Sequence, residues 1–317
     1  MAFITVLISK FTAIISAILL LLGIGGVPGD DTKPQEPDVT DPSVVIEDDT
    51  EDQTEEPEIV IQEQVAEVRG TTLCRFVQGG CFDGTYVYIA FNDNGNGENS
   101  KSVIKKYDPV TWEEVQSSGE IHIYHANDMT YNQKTNRIVV SCGSPDAKKI
   151  CVLDSQTLEV LSVKDIVRSV YAIEYYPEGN CYFAGFSNGT VGKLSLKFSR
   201  TDYIEAYDSG FTKQGMTRHG DYLYFLQYKK NCIQVYSISE NRYLGQYNLP
   251  VTSGEPENIF VIDNTVYTVY SSTNWKYGIV YKLSMTQTIP TGSDYSCHAN
   301  EEITKDNIQL ANETPVV

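Results

Sequence analysis

Residues 107–115, YDPVTWEEV, recur 46 positions later as residues 153–161, LDSQTLEVL, with Asp, then Thr three residues on, then Glu in the same register. Each copy follows a strand-like run, SVIKKYD or KKICVLD, so the shared pattern is a turn between two strands inside a larger repeat. Working outward, five further runs of strand composition are each preceded by a turn: TYVYIAF at 85, NRIVVSC at 136, NCYFAGF at 180, DYLYFLQY at 221 and TVYTVYS at 265. Each is followed by a second strand, and four of the five by a third.

Short aromatic and β-branched runs separated by turn residues predict an all-β chain. A period of roughly 45 residues with four strands per unit is the arithmetic of a β-propeller blade, and residues 65–285 divide well by five. The expected fold is a five-bladed β-propeller over residues 62–286, built from four-stranded antiparallel blades. The fifth repeat lacks an outermost strand. QEQVAEVRG, residues 62–70, is expected to fill that place and close the ring, with TQTI at 286–289 as the rival.

The remainder of the 317-residue chain differs in kind. Residues 11–27 are nearly all apolar and follow Lys10, as in a signal peptide or a membrane anchor, so residues 1–28 are expected to export or tether the protein. Residues 29–68 carry fifteen Asp or Glu against one Lys, most of the chain's net charge of −18. The stretch 29–61 therefore reads as a disordered acidic linker, and 287–317 as a polar tail. With its only flanking cation before the apolar run, the propeller is expected on the extracellular face of the membrane, or secreted. Net negative charge without a basic cluster excludes a nucleic-acid partner. Seven cysteines show no metal-ligand spacing; most lie in apolar strand runs as buried thiols, and Cys142 with Cys151 is the pair placed on neighbouring strands.

The innermost strand of every blade lines the central channel, and aligning backward from the five turns places polar residues at four of the five strand entrances: Gln78, Asn127, Gln214 and Glu257. Gly79 and Gly215 behind the glutamines permit close backbone approach. The expected ligand-binding set is Gln78, His125, Asn127, Asp128, Glu174, Gln214, Glu255, Glu257 and Asn258, with Glu174 about two residues out of register. Oxygen donors from several strands suit Ca²⁺ rather than Zn²⁺, with Asn127, Asp128, Glu257 and Asn258 as the candidate ligands. The competing expectation is that carboxamides and carboxylates at the channel mouth bond one another and hold the blades in register.

The turn–strand units and D-x-x-T-x-E hairpins resemble the blades of YVTN- and NHL-type propellers. FVQGGCFDGTYVY followed by SVIKKYD is similar to the first blade of plant-type glutaminyl cyclotransferases, although those have a catalytic Glu where this chain has Asn127. The Glu, Asn and Asp set resembles that of calcium-dependent lactonases of the SMP-30 and gluconolactonase type. Either enzyme resemblance implies catalysis at the channel mouth, with His125 or Glu257 as base. The Gln-Gly and Asn-rich entrances are also similar to five-bladed propellers of bacteriophage-tail and cell-wall-binding type, which implies an envelope glycopolymer or a protein as partner. Twenty-two tyrosines suit stacking on sugar rings, although Tyr86, Tyr88, Tyr222, Tyr224 and Tyr267 lie in strand runs that need aromatics for packing.

Overall fold

The computed structural model describes residues 61–285, apart from residue 96 and the segments 144–147, 187–189, 205–212, 228–230 and 250–253. The apolar segment, the acidic linker, the polar tail and the rival strand at 286–289 lie outside the described residues.

Among the described residues, twenty strands form five four-stranded antiparallel sheets. In order from the channel outward, the first blade is β2 (Phe76–Phe82), β3 (Val87–Asn92), β4 (Ser102–Tyr107) and β5 (Glu114–Ser117). The second is β6 (Asp128–Asn132), β7 (Arg137–Ser141), β8 (Lys149–Asp154) and β9 (Val160–Asp165). The third is β10 (Val170–Tyr176), β11 (Cys181–Phe186), β12 (Val191–Ser195) and β13 (Arg200–Ile204). The fourth is β14 (Lys213–His219), β15 (Tyr222–Gln227), β16 (Cys232–Ser237) and β17 (Arg242–Asn248). In the fifth, β18 (Pro256–Ile262), β19 (Thr265–Ser271) and β20 (Gly278–Ser284) come from the end of the domain, and β1 (Ile61–Val68) from its start is the outer strand. β1 pairs antiparallel with β20 from Ile61↔Ser284 to Val68↔Gly278, so the first repeat-free segment closes the ring and covers the β20 edge.

The recurring hairpin has a local cause. Asp108 Oδ1 accepts hydrogen bonds from the Val110 and Thr111 amides at 2.8 Å, and Thr111 Oγ1 accepts from the Glu113 amide. Asp154, Thr157 and Glu159 repeat these bonds, and in both turns the next residue, Trp112 or Leu158, has positive φ. Asp and Thr are required because each satisfies amides that the turn takes out of the ladder.

Apolar packing is divided among five clusters, one at each blade–blade interface. Consecutive residues of β3 show why the central strands are apolar on both faces. Val87, Ile89 and Phe91 point toward the fifth blade, while Tyr88 and Ala90 point toward the second. All six β3 residues are buried, so period-two alternation here distributes side chains between two neighbours and not between core and water. Tyr88 and Tyr224 belong to this packing, and Tyr88 donates its hydroxyl to Asp83 Oδ2 at 2.6 Å. The six described cysteines are all buried as free thiols.

Candidate functional site

Four of the five inner strands break register at the channel: between Val77 and Gly80, Val170 and Ala172, Lys213 and Gly215, and Pro256 and Asn258. A β-bulge leaves its extra residue unpaired and re-aims it. The residues so released are Gln78 with Gly79, Tyr171, Gln214 and Glu257. In the second blade the ladder is regular from Asp128 onward, and Asn127 occupies the equivalent place just ahead of it, after Ala126 at φ 54°. Of the polar entrances, Asn127, Gln214 and Glu257 are joined by hydrogen bonds, with the Tyr171 carbonyl as the third blade's member, while Gln78 stands at the same level in the first blade.

The ring is knotted together. Asn127 Nδ2 donates to the Tyr171 carbonyl at 2.7 Å and the Gln214 carbonyl at 3.1 Å. Gln214 Nε2 donates to Glu257 Oε2 at 2.7 Å, with both side chains buried. At the centre, Asp128 Oδ1 accepts from its neighbour's amide on Met129 at 2.9 Å and from Asn258 Nδ2 at 2.6 Å, while Oδ2 accepts from the amides of Ile173 at 2.8 Å and Met216 at 3.2 Å. One carboxylate of the second blade is thereby bonded to the third, fourth and fifth. The first blade joins through Gly79, whose amide donates to the Ala126 carbonyl at 3.1 Å. A Cβ at Gly79 would lie 2.6 Å from Asp128 Cα, so only glycine permits that approach. Burial pushes the Asp128 carboxyl well above the usual carboxylate range, and the donors from Ile173, Asn258 and Met129 oppose it. Glu257 is likewise raised by burial and by the nearby Glu255 charge.

The residues named as calcium ligands do not fit that ion. Two of the groups converging on Asp128 Oδ2 are main-chain N–H donors, whose hydrogens would face the cation. Its other oxygen holds the Asn258 amide, and Glu257 is engaged by Gln214. No group of three or more His, Cys, Asp or Glu able to hold a metal occurs among the described residues.

Open space begins one to three residues further along the inner strands. A cavity of about 210 Å³ is lined by residues of all five blades, among them Thr130, Tyr131, Glu174, Thr217, Arg218 and Phe260. Gly80, Thr130, Glu174, Thr217 and Phe260 stand at one level when the strands are aligned on their turns. The apparent register offset of Glu174 is thus real and decisive: it does not belong to the ring but to this second layer. Glu174 Oε2 accepts from the Thr130 hydroxyl at 3.0 Å, and Thr130 Oγ1 in turn accepts the Tyr175 amide at 3.0 Å. Burial raises the Glu174 carboxyl to about 8, against the lowering effects of Thr130 and Arg218, so it is largely a neutral acid at neutral pH.

The other expected residues divide. His125 turns to the first blade, with Nδ1 3.4 Å from the Gly95 carbonyl, and burial lowers its basicity. Glu255 is half-buried; its amide donates to Ser271 Oγ and its carbonyl accepts the Ser271 amide, both at 2.9 Å. Gln78 Oε1 and Asn258 Oδ1 are buried without a hydrogen-bond partner among the described residues. Neither His125 nor Glu257 lines the cavity. Thr130, Thr217 and Arg218 were not singled out from the sequence, although one signal was there: Met-Thr recurs at 129–130 and 216–217 at the same distance before the inner turn.

The sequence matches no protein-family model and no curated protein. Among solved structures the chain is similar to a glutaminyl cyclase of Myxococcus xanthus, with TM-score 0.54 and 8% identity over 73% of this chain and 100% of that one. It is also similar to the tail fibre of Staphylococcus aureus phage P68, with TM-score 0.48 and 14% identity over 71% of this chain and 52% of the fibre chain, about half its length. The Cps50 (Swd1) β-propeller domain of Myceliophteria thermophila aligns with TM-score 0.39 and 11% identity over 67% of this chain and 66% of that one. At these identities the likeness is one of fold.

Proposed function

We propose that the protein is a recognition propeller that binds a small hydroxyl-rich ligand, the end or a single unit of an envelope carbohydrate, in its channel cavity. The observation that carries this is the second-layer cavity: about 210 Å³, reached by all five blades, and combining Glu174, Arg218 and Thr217 with the apolar surface of Met129, Ile259 and Phe260. That volume is below the ~300–1,000 Å³ of ordinary drug-sized pockets and suits one ring better than an extended polymer. A neutral Glu174 carboxyl offers both a donor and an acceptor to a ligand hydroxyl, and the flanking apolar side chains cover the ring's C–H faces. The apolar run at 11–27 and the acidic stretch after it support display of the propeller outside a membrane on a charged spacer.

Calorimetric titration of the full chain with N-acetylglucosamine, glucose and short cell-wall glycan fragments tests this reading. Saturable binding, weakened at least about tenfold (roughly 1.4 kcal/mol) by Glu174→Ala or Thr217→Val with the far-ultraviolet spectrum unchanged, is the expected result. Binding that is absent at millimolar ligand, or unaffected by both substitutions, refutes it, and a protein partner then takes the glycan's place. Catalysis by His125 or Glu257 is not proposed, because the first faces a loop carbonyl and the second is sealed in the ring.

A further inference from the structure

We infer that Cys142 and Cys151 are an oxidisable pair that forms a disulfide across the β7–β8 hairpin, and that this bond clamps the strand end carrying the ring. Their Sγ atoms are 3.5 Å apart, and both side chains are fully buried in the cluster between the first and second blades. They lie on one face of adjacent antiparallel segments. Cys151 is opposite Val140, and Cys142, one residue past β7, bonds its amide to the Lys149 carbonyl. The two cysteines are therefore diagonal neighbours, offset by two residues, and bringing their sulfurs to the ~2.05 Å of a bond takes side-chain rotation together with a small shift of the strand end at Cys142. The other described thiols are placed differently. Cys74 bonds the Lys101 carbonyl, and Cys81, Cys181 and Cys232 belong to the inner strand of the first blade and to strands of the third and fourth.

The bond would act on the ring through two neighbours of Cys142. The Ser141 carbonyl accepts the Asn127 amide at 3.0 Å, and Gly143, at φ 55°, packs so closely on Asn127 that a Cβ there would fall 2.0 Å from Asn127 Cβ. The Gly143 amide donates to the Val170 carbonyl of the third blade. Tying Cys142 to β8 therefore fixes the backbone on which Asn127 reaches the Tyr171 and Gln214 carbonyls.

The chemistry is thiol–disulfide exchange with a small-molecule disulfide as oxidant. One protein thiolate attacks the small disulfide and expels one small thiolate; the second protein thiolate attacks the mixed disulfide and expels the other. Two protein thiols lose two electrons and two protons, and the small disulfide is reduced to two thiols. Attack needs a solvent-accessible thiolate, and both sulfurs are inaccessible in the folded blade. The bond accordingly forms during folding, and once buried it is removed only when the hairpin opens.

The test is to refold the reduced full chain in a mixture of reduced and oxidised glutathione, quench with iodoacetamide, and digest with trypsin. Cleavage after Arg137, Lys148, Lys149 and Lys164 puts the two cysteines on separate peptides, 138–148 and 150–164. The expected result is a single linked species that separates on reduction, a higher melting temperature than the reduced protein, and loss of both in Cys142→Ala with Cys151→Ala but not in Cys74→Ala. Slow loss of the link when reductant is added to folded protein, and fast loss in urea, is also expected. Alkylated, unlinked peptides from oxidised folded protein, or either cysteine linked elsewhere, overturn the inference. If the chain does not refold, protein expressed into an oxidising compartment is digested and judged by the same two peptides.

Discussion

Removing the Asp128 carboxylate by Asp128→Ala is expected to be the most damaging single substitution in the channel. Four donors end on it: the amides of Met129, Ile173 and Met216, and Asn258 Nδ2. Leaving one buried donor unsatisfied costs about 1–3 kcal/mol, which as a simple sum over four exceeds what is measured even for broken buried ion pairs. Space vacated by the carboxyl group admits water to some of those donors, so the expected loss is about 3–5 kcal/mol, the range for removing one partner of a buried charged network. For a domain of this size that corresponds to a fall in melting temperature of roughly 6–20 °C, at about 2–4 °C per kcal/mol. Asp128→Asn keeps the shape but sets an NH₂ group against donors on one side, and should fall between the alanine variant and the native protein. Urea unfolding followed by tyrosine fluorescence and circular dichroism gives both numbers, with Asp108→Ala as the control: its carboxylate accepts two amides in an exposed hairpin. An Asp128→Ala protein within about 1 kcal/mol of native stability would refute the claim that this carboxylate ties the blades together.

Gly79→Ala puts a methyl 2.6 Å from the Asp128 backbone and should cost about 1–3 kcal/mol or more in the same assay, whereas Gly97→Ala, in open space, should cost little. Glu174 has a folded pKa raised to about 8 from 4.5, so its contribution to stability is complete below about 4.5 and is lost as pH rises toward 8. Glu174→Gln should therefore gain on the native protein between those limits, by up to about 1.4 kcal/mol per pH unit, and parallel stability–pH curves would contradict the burial argument. Deleting residues 1–69 uncovers β20 and should lower the melting temperature and promote self-association seen by light scattering, while deleting 1–55, which leaves β1 in place, should do neither.

The D-x-x-T-x-E turns, the apolar runs and the spacing of the repeats are set by residues within ten positions of one another, and from these the blades, their number and the closing role of residues 62–70 could be read. The polar entrances were legible too, because Gln78, Asn127, Gln214 and Glu257 stand at nearly the same distance before their turns. Their meaning was not. That Asp128 collects donors from the third, fourth and fifth blades depends on bulges at Tyr171, Gln214 and Glu257, and a bulge is a response to neighbouring sheets that leaves no fixed local signature. The same holds for Glu174. Along the chain it looks about two residues misplaced, and only the stacking of five sheets around an axis shows that it stands three residues past Tyr171, beyond the sealed knot and in the cavity behind. Local sequence determines which segments become strands; depth along a shared channel is a property of how separate sheets meet, and tertiary packing alone decides it.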